Sequence, residues 1–217
     1  MLKALLFDLD GTLANTDGVH FPAWMEVLRP HGIEVTREYY DERLAGRVNA
    51  DVVDDILPDL SDEDRRRLIN DEEERSHERA SQIGPLPGLR AFLDEGRGRG
   101  LTLALVTNSV QADAEQILAP LDLKGAFDPI VYPSEVSATK PDPAPYMEML
   151  DRLGIEADEA MAFEDSVTGT KASHAAGIQT VGVSSGDTPE DLTEAGVDLV
   201  IGDFEDRALY EFLDERS

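Results

Sequence analysis

Two aspartates, Asp8 and Asp10, follow the apolar run Ala4-Leu5-Leu6-Phe7 and precede Gly11 and Thr12. Two residues apart, both carboxylates fall on one face of a strand, and the glycine lets the chain turn where the strand ends. Acids delivered in this way can hold a divalent cation, and one of them can act as a nucleophile. The plainer reading is a strand closed by an Asp-Gly turn. Three further stretches carry complementary chemistry. Val106-Thr107-Asn108-Ser109 places hydroxyl and amide groups after an apolar strand and ahead of a helix, whose free amides favour a phosphoryl anion. N-capping by Asn108 or Ser109 is the alternative there. Lys140-Pro141-Asp142-Pro143 offers an ammonium on extended backbone, able to neutralise a carboxylate and a phosphoryl oxygen together, or else an ordinary surface lysine. Phe163-Glu164-Asp165-Ser166 again puts acids at a strand end, with hard oxygens that suit Mg²⁺.

The elements that must position these groups follow from periodicity. Short apolar strands are predicted at Ala4–Phe7, Leu101–Val106, Pro129–Tyr132, Ala160–Phe163, Gln179–Val183 and Leu199–Ile201. Helical patterns alternate with them near 88–97, 111–121, 143–153, 167–176, 189–195 and 205–215. Such alternation predicts an α/β fold, a parallel sheet covered by helices on both faces, with ligands beyond the carboxyl ends of the strands. Residues 18–84 differ: they show helical faces and no strand alternation, and read as a compact all-helical insert. Pro22 is expected in the first turn of a helix, and Thr36 and Ser61 as N-caps. The run Asp71-Glu72-Glu73-Glu74-Arg75 reads as a solvated helix face. Gly84-Pro85-Leu86-Pro87-Gly88 marks the boundary back to the sheet.

Composition narrows the partners. The 217 residues carry a net charge of −27, which argues against nucleic acid and anionic membranes. Lysine occurs only at Lys3, Lys124, Lys140 and Lys171, so one placed before a proline near a strand end stands out. Acid spread along the whole chain resembles proteins of salt-loving cytoplasms, where screening makes self-repulsion tolerable. Cysteine is absent, which removes disulfides and thiolate chemistry. No apolar run approaches the roughly 20 residues of a membrane span, and a cytoplasmic location, as a monomer or homodimer, is expected.

The order and strand-end placement of the four stretches resemble the haloacid dehalogenase superfamily, in the subgroup with a helical cap inserted after the first strand. Residues Phe7 to Trp24, with His20-Phe21 and Ala23-Trp24, are especially similar to its β-phosphoglucomutase group and that group's phosphatase relatives, and the chain as a whole also resembles the phosphoglycolate phosphatases. The resemblance implies a Rossmann-like core over 1–15 and 86–217 and a cap over 16–85. It implies that Asp8 attacks phosphorus, that Asp10 serves as general acid and base, and that Lys140 neutralises charge. Mg²⁺ would rest on Asp8, the backbone carbonyl of Asp10, Asp165 and Glu164. Thr107, Asn108 and Ser109 would hold the transferring oxygens, and Gly46 and Arg47 of the cap would select a small phosphorylated metabolite. His20 matches a hinge histidine, or is structural. Asp10 favours phosphate esters over carbon–halogen bonds, and the absence of lysine from 16–84 speaks against phosphonate cleavage. A mutase would need cap cations where this chain has Ala45 and Asn49. The rivals to a phosphatase are that mutase and a catalytically idle protein of the same fold.

Overall fold

The computed structural model describes residues 1–80 and 83–216. Six parallel strands form one sheet: Ala4–Phe7 (β1), Thr102–Val106 (β2), Ile130–Val131 (β3), Ala160–Glu164 (β4), Gln179–Val183 (β5) and Leu199–Ile201 (β6). Their order is β3-β2-β1-β4-β5-β6, so the chain reverses its direction of travel across the sheet between β1 and β4. Crevices at such switch points are where open α/β sheets bind ligands. Phe7 pairs with Leu105 on one side and Phe163 on the other. One residue further, Asp8 therefore comes level with Val106 and Glu164.

The pleat sorts the central strand. Leu5 and Phe7 face a large apolar cluster with Phe92, Phe163 and Phe204; Ala4 and Leu6 face a second, with Ala104, Ala160, Ala162, Tyr146 and Met149. Phe7 and Phe163 stack with ring centroids 4.7 Å apart. Such a pair adds about 0.5–1.5 kcal/mol beyond its buried area, and it ties together the two strand tips that carry the acids.

The insert comprises Asp17–Leu28 (α1), Arg37–Arg43 (α2), Asn49–Ile56 (α3) and Asp62–Ala80 (α4). It encloses its own apolar cluster, with Trp24, Leu28, Tyr40, Val52, Val53 and Leu68. Thr36 and Ser61 cap α2 and α4 as expected: each side-chain oxygen accepts a backbone N–H three residues on, at 3.1 Å. Pro22 does not open its helix. α1 begins at Asp17 and runs through the proline. The bond lost there is to the Gly18 carbonyl in the first turn, and burial of Val19, Ala23, Trp24 and Leu28 offsets it.

The sheet is covered by Leu89–Gly98 (α5), Gln111–Leu118 (α6), Ala144–Leu153 (α7), Val167–Ala175 (α8), Pro189–Ala195 (α9) and Arg207–Asp214 (α10). These match the periodic segments, with ends shifted by at most three residues. Among the described residues no helix is long and apolar enough to cross a membrane.

Candidate active site

The four stretches converge where β1, β2 and β4 end; three of them sit at strand ends as expected, whereas Lys140 comes from the loop ahead of α7, nine residues past β3. Lys140 Nζ donates to Asp8 Oδ1 at 2.7 Å, to Glu164 Oε1 at 2.6 Å and to the Val106 carbonyl at 2.7 Å. The lysine is buried, and all three of its protons are used. Burial opposes its charge, but Asp8 and Glu164 outweigh that and hold its pKa above the ordinary lysine value. Asn108 keeps the lysine in place: its Oδ1 accepts from the Lys140 N–H at 3.1 Å, and its Nδ2 donates to the Lys140 carbonyl at 3.3 Å. Neither Asn108 nor Ser109 caps a helix; Val110 occupies that position for α6.

Asp8, Glu164 and Asp165 each bring one carboxylate oxygen to within 4.8 Å of the others. Burial, and then repulsion from Asp8 and Glu164, raises the pKa of Asp165. Burial also raises that of Asp8, with Lys140 pulling against it. Glu164 Oε2 is buried without a hydrogen-bond partner. Crowded hard oxygens short of positive charge, one of them an orphan acceptor, fit a divalent cation of the Mg²⁺ kind. Asp10 does not join this group through its carboxylate. Its Oδ2 accepts from Ser109 Oγ at 2.5 Å, and its Oδ1 is buried, without a hydrogen-bond partner, 3.8 Å from His20 Nε2.

Several residues that shape the site carried no signal of their own in the sequence. Tyr146 of α7 donates its hydroxyl to Glu164 Oε1, leaving Oε2 as the free oxygen. A Cβ on Gly169 would lie 1.8 Å from Glu164 Oε2, and one on Gly186 would lie 2.1 Å from Asp165 Oδ2. Both glycines are gaps that these carboxylates fill. Gly11, at φ +77°, makes the same gap on the other side of Asp165.

The acidic run of α4 is not wholly solvated. Glu72 is fully buried and accepts from His20 Nδ1 at 3.0 Å, Asn49 Nδ2 at 2.9 Å and Ser76 Oγ at 2.7 Å. The signal was a stripe four residues apart, Leu68-Glu72-Ser76, continuing the buried face of the helix. Burial disfavours charge on His20, yet the bond and charge of Glu72 outweigh it and push its pKa up to about 9.

The insert covers the strand ends. Gly46, at φ +68° in the loop between α2 and α3, accepts from Asn108 Nδ2 at 3.3 Å, and His77 of α4 meets Asp113 of α6 at 3.0 Å. A cavity of about 520 Å³ lies between the two halves, lined by Asp8, Asp10, Lys140 and Asp165 from below and by His20, Arg47 and Asn49 from above. Of the residues that the sequence assigns to the site, all but Thr107 and Glu164 line it. Thr107 lies just beneath, with its Oγ1 accepting from the Ser109 N–H at 2.9 Å.

Comparison with known proteins agrees with this geometry. The family model of haloacid dehalogenase-like hydrolases matches residues 5–183. A phosphorylated carbohydrates phosphatase of Thermotoga maritima is 30% identical over 184 residues, covering 83% of this chain and 84% of that protein. A phosphoglycolate phosphatase of Rhodospirillum rubrum is 29% identical over 219 residues, covering 94% and 88%. The crystal structure of CbbY from Rhodobacter sphaeroides in complex with phosphate superimposes with a TM-score of 0.81 at 26% identity, over 94% of this chain and 95% of that one. The chain belongs to the haloacid dehalogenase-like hydrolases, a family of enzymes, in the helical-cap branch related to phosphoglucomutases and phosphoglycolate phosphatases.

Proposed function

We propose that the protein is a Mg²⁺-dependent phosphatase of small phosphorylated metabolites, working through a phosphorylated Asp8. The observation that carries this reading is the contact of one buried ammonium, Lys140 Nζ, with Asp8 at 2.7 Å beside the carboxylates of Glu164 and Asp165. Asp8, Asp165 and Glu164 would hold the cation, with the Asp10 backbone carbonyl. Bound there, Mg²⁺ supplies charge that draws a phosphate ester into an acidic pocket and stabilises its transferring oxygens. Residues 16–85 act as the cap that excludes water and selects the substrate.

The protein's own groups then divide the work. An Asp8 carboxylate oxygen forms a bond to phosphorus as the ester P–O bond breaks, and Asp10 gives its proton to the departing alkoxide. Asp10 next takes a proton from a water that attacks phosphorus. The P–O bond to Asp8 breaks, which frees phosphate and restores the carboxylate. Ser109 fixes one Asp10 oxygen for these transfers. Asn108 positions the phosphoryl oxygens, with Thr107 beneath holding the Ser109 N–H, and orientation and electrostatics supply most of the catalysis. The phosphoryl site by itself accepts either a sugar phosphate or phosphoglycolate, both named among the relatives' substrates. Ala45 and Asn49, where a mutase needs cations, favour release of phosphate over its transfer back to sugar.

Hydrolysis of p-nitrophenyl phosphate tests the reading. Wild type with Mg²⁺ turns it over, excess EDTA silences it and added Mg²⁺ restores it, while Asp8→Asn is inactive. Near-wild-type turnover by Asp8→Asn, or full activity in chelator, would overturn it.

A further inference from the structure

If Mg²⁺ and Lys140 take the phosphoryl group, the rest of the cavity must receive the alcohol. We infer that this wall selects phosphate esters whose alcohol carries no second anionic group, and that Asp17, Asp41 and Asp55 enforce the choice by occupying the two arginines that would otherwise bind one. The inference rests on the phosphatase reading and narrows it.

Arg37 and Arg47 are the only arginines lining the cavity among the described residues. Arg37 is held on two sides: Nε lies 2.7 Å from Asp41 Oδ1, and Nη2 donates to Asp17. Its guanidinium also lies over the Phe21 and Tyr40 rings, 5.9 and 5.5 Å from their centroids. Arg47 Nη1 donates to the Arg43 carbonyl at 2.8 Å and to Asp55 Oδ2 at 3.1 Å, and Arg43 Nη2 fastens Asp55 at 3.0 Å. Arg47 follows Gly46, the cap residue that touches Asn108, so its guanidinium is tied back at the place where the cap meets the phosphoryl site.

Apart from His20, which Glu72 engages, the remaining charged groups of the wall are acids, set among apolar side chains such as Trp24, Leu44 and Ile69. Glu73 comes from the cap, and Asp113, Asp187 and Asp191 from the core. Asp17 and Asp41 of the cap and Asp187 and Asp191 of the core line the same cavity, so acids of both halves border it; burial raises the pKa of Asp187, against the hydrogen bond it accepts from the Val167 N–H. A carboxylate or second phosphate entering here would lose water against like charge with no unpaired arginine to receive it. A hydroxyl or an ammonium would find carboxylate acceptors from both the cap and the core.

The test measures kcat/KM for glucose 6-phosphate, glucosamine 6-phosphate, phosphoglycolate and fructose 1,6-bisphosphate at saturating Mg²⁺. Each is assayed in about 0.1 M and about 1 M NaCl, since the net charge alone disfavours anions at long range and screening falls from roughly 10 Å to 3 Å between these. Expected is a preference of about tenfold or more for the first two esters at both salt concentrations. Equal or better use of the anionic esters overturns the inference, and so does a preference that vanishes in high salt. Asp55→Asn should raise the ratio of bisphosphate to glucose 6-phosphate turnover by about threefold or more, the scale of one exposed ion pair. An unchanged ratio removes Asp55 from the account, while the wild-type panel still decides the selection itself. Turnover of p-nitrophenyl phosphate without the preference leaves the phosphatase reading standing. No turnover of any ester, p-nitrophenyl phosphate included, sinks both.

Discussion

The ammonium of Lys140 lies 2.7 Å from Asp8 Oδ1 although 132 residues separate the two in the chain. It is the only cation in contact with either Asp8 or Glu164 among the described residues. Lys140→Met should therefore abolish turnover and destabilise the fold by roughly 3–5 kcal/mol, the usual result of stripping the partner from a buried charge. Mg²⁺ should recover part of that stability by meeting the same carboxylates. Urea unfolding of the variant with and without Mg²⁺ checks this. A variant as stable as wild type would show that Lys140 does not neutralise the cluster.

Gly186→Ala isolates the seat of Asp165. The added methyl would stand 2.1 Å from Asp165 Oδ2, closer than any real contact, so the carboxylate has to leave. The expected outcome is a folded protein whose Mg²⁺ requirement rises about tenfold or more, as when a residue supporting a metal ligand is lost. An unchanged Mg²⁺ titration would mean that the Ser185–Asp187 loop gives way instead.

The pair of half-buried His20 and buried Glu72 makes stability depend on pH. The folded His20 pKa is raised to about 9 from 6.5, so its contribution is fully present below the unfolded value and is lost as pH rises through about 9. Carboxylates with raised values, Asp8 among them, titrate in the same sense, so the comparison is with Glu72→Gln. Between about pH 6 and pH 9.5, wild type should lose roughly 1–3 kcal/mol more than the variant in urea unfolding. Parallel profiles would refute the pair's role.

A net charge of −27 should make the fold depend on salt. Many arginines already sit in exposed pairs such as Arg152–Glu148 and Arg207–Glu211, too few and too weak to offset the surplus acid. Melting temperature should climb as NaCl is raised from low to molar concentration. A flat or falling curve would end the comparison with proteins of saline cytoplasms.

The sheet and the residues at its strand tips were legible because both depend on local pattern. Apolar runs of strand length ended in Asp8, Thr107 and Glu164, and parallel pairing in register then brings those ends level. The cap's interior was harder to read. Glu72 looked like its neighbours Asp71 and Glu73 because two of its partners, His20 and Asn49, are 52 and 23 residues away, and such partners make the burial favourable. Pro22 misled for a related reason: packing of α1 in the insert, not local propensity, decides that the helix continues. Tyr146 and Gly186 act through a single oxygen each, which no periodicity records.

The crossings to and from the insert meet at one backbone hydrogen bond, Leu86 N–H to the Leu13 carbonyl at 2.9 Å. Departure and return thus share a doorway, and the sheet's continuity does not depend on how much chain lies beyond it. Such a layout makes the upper storey replaceable. A different helical segment, longer or shorter, could be grafted between these two positions and alter what is recognised while the reaction centre below stays as built.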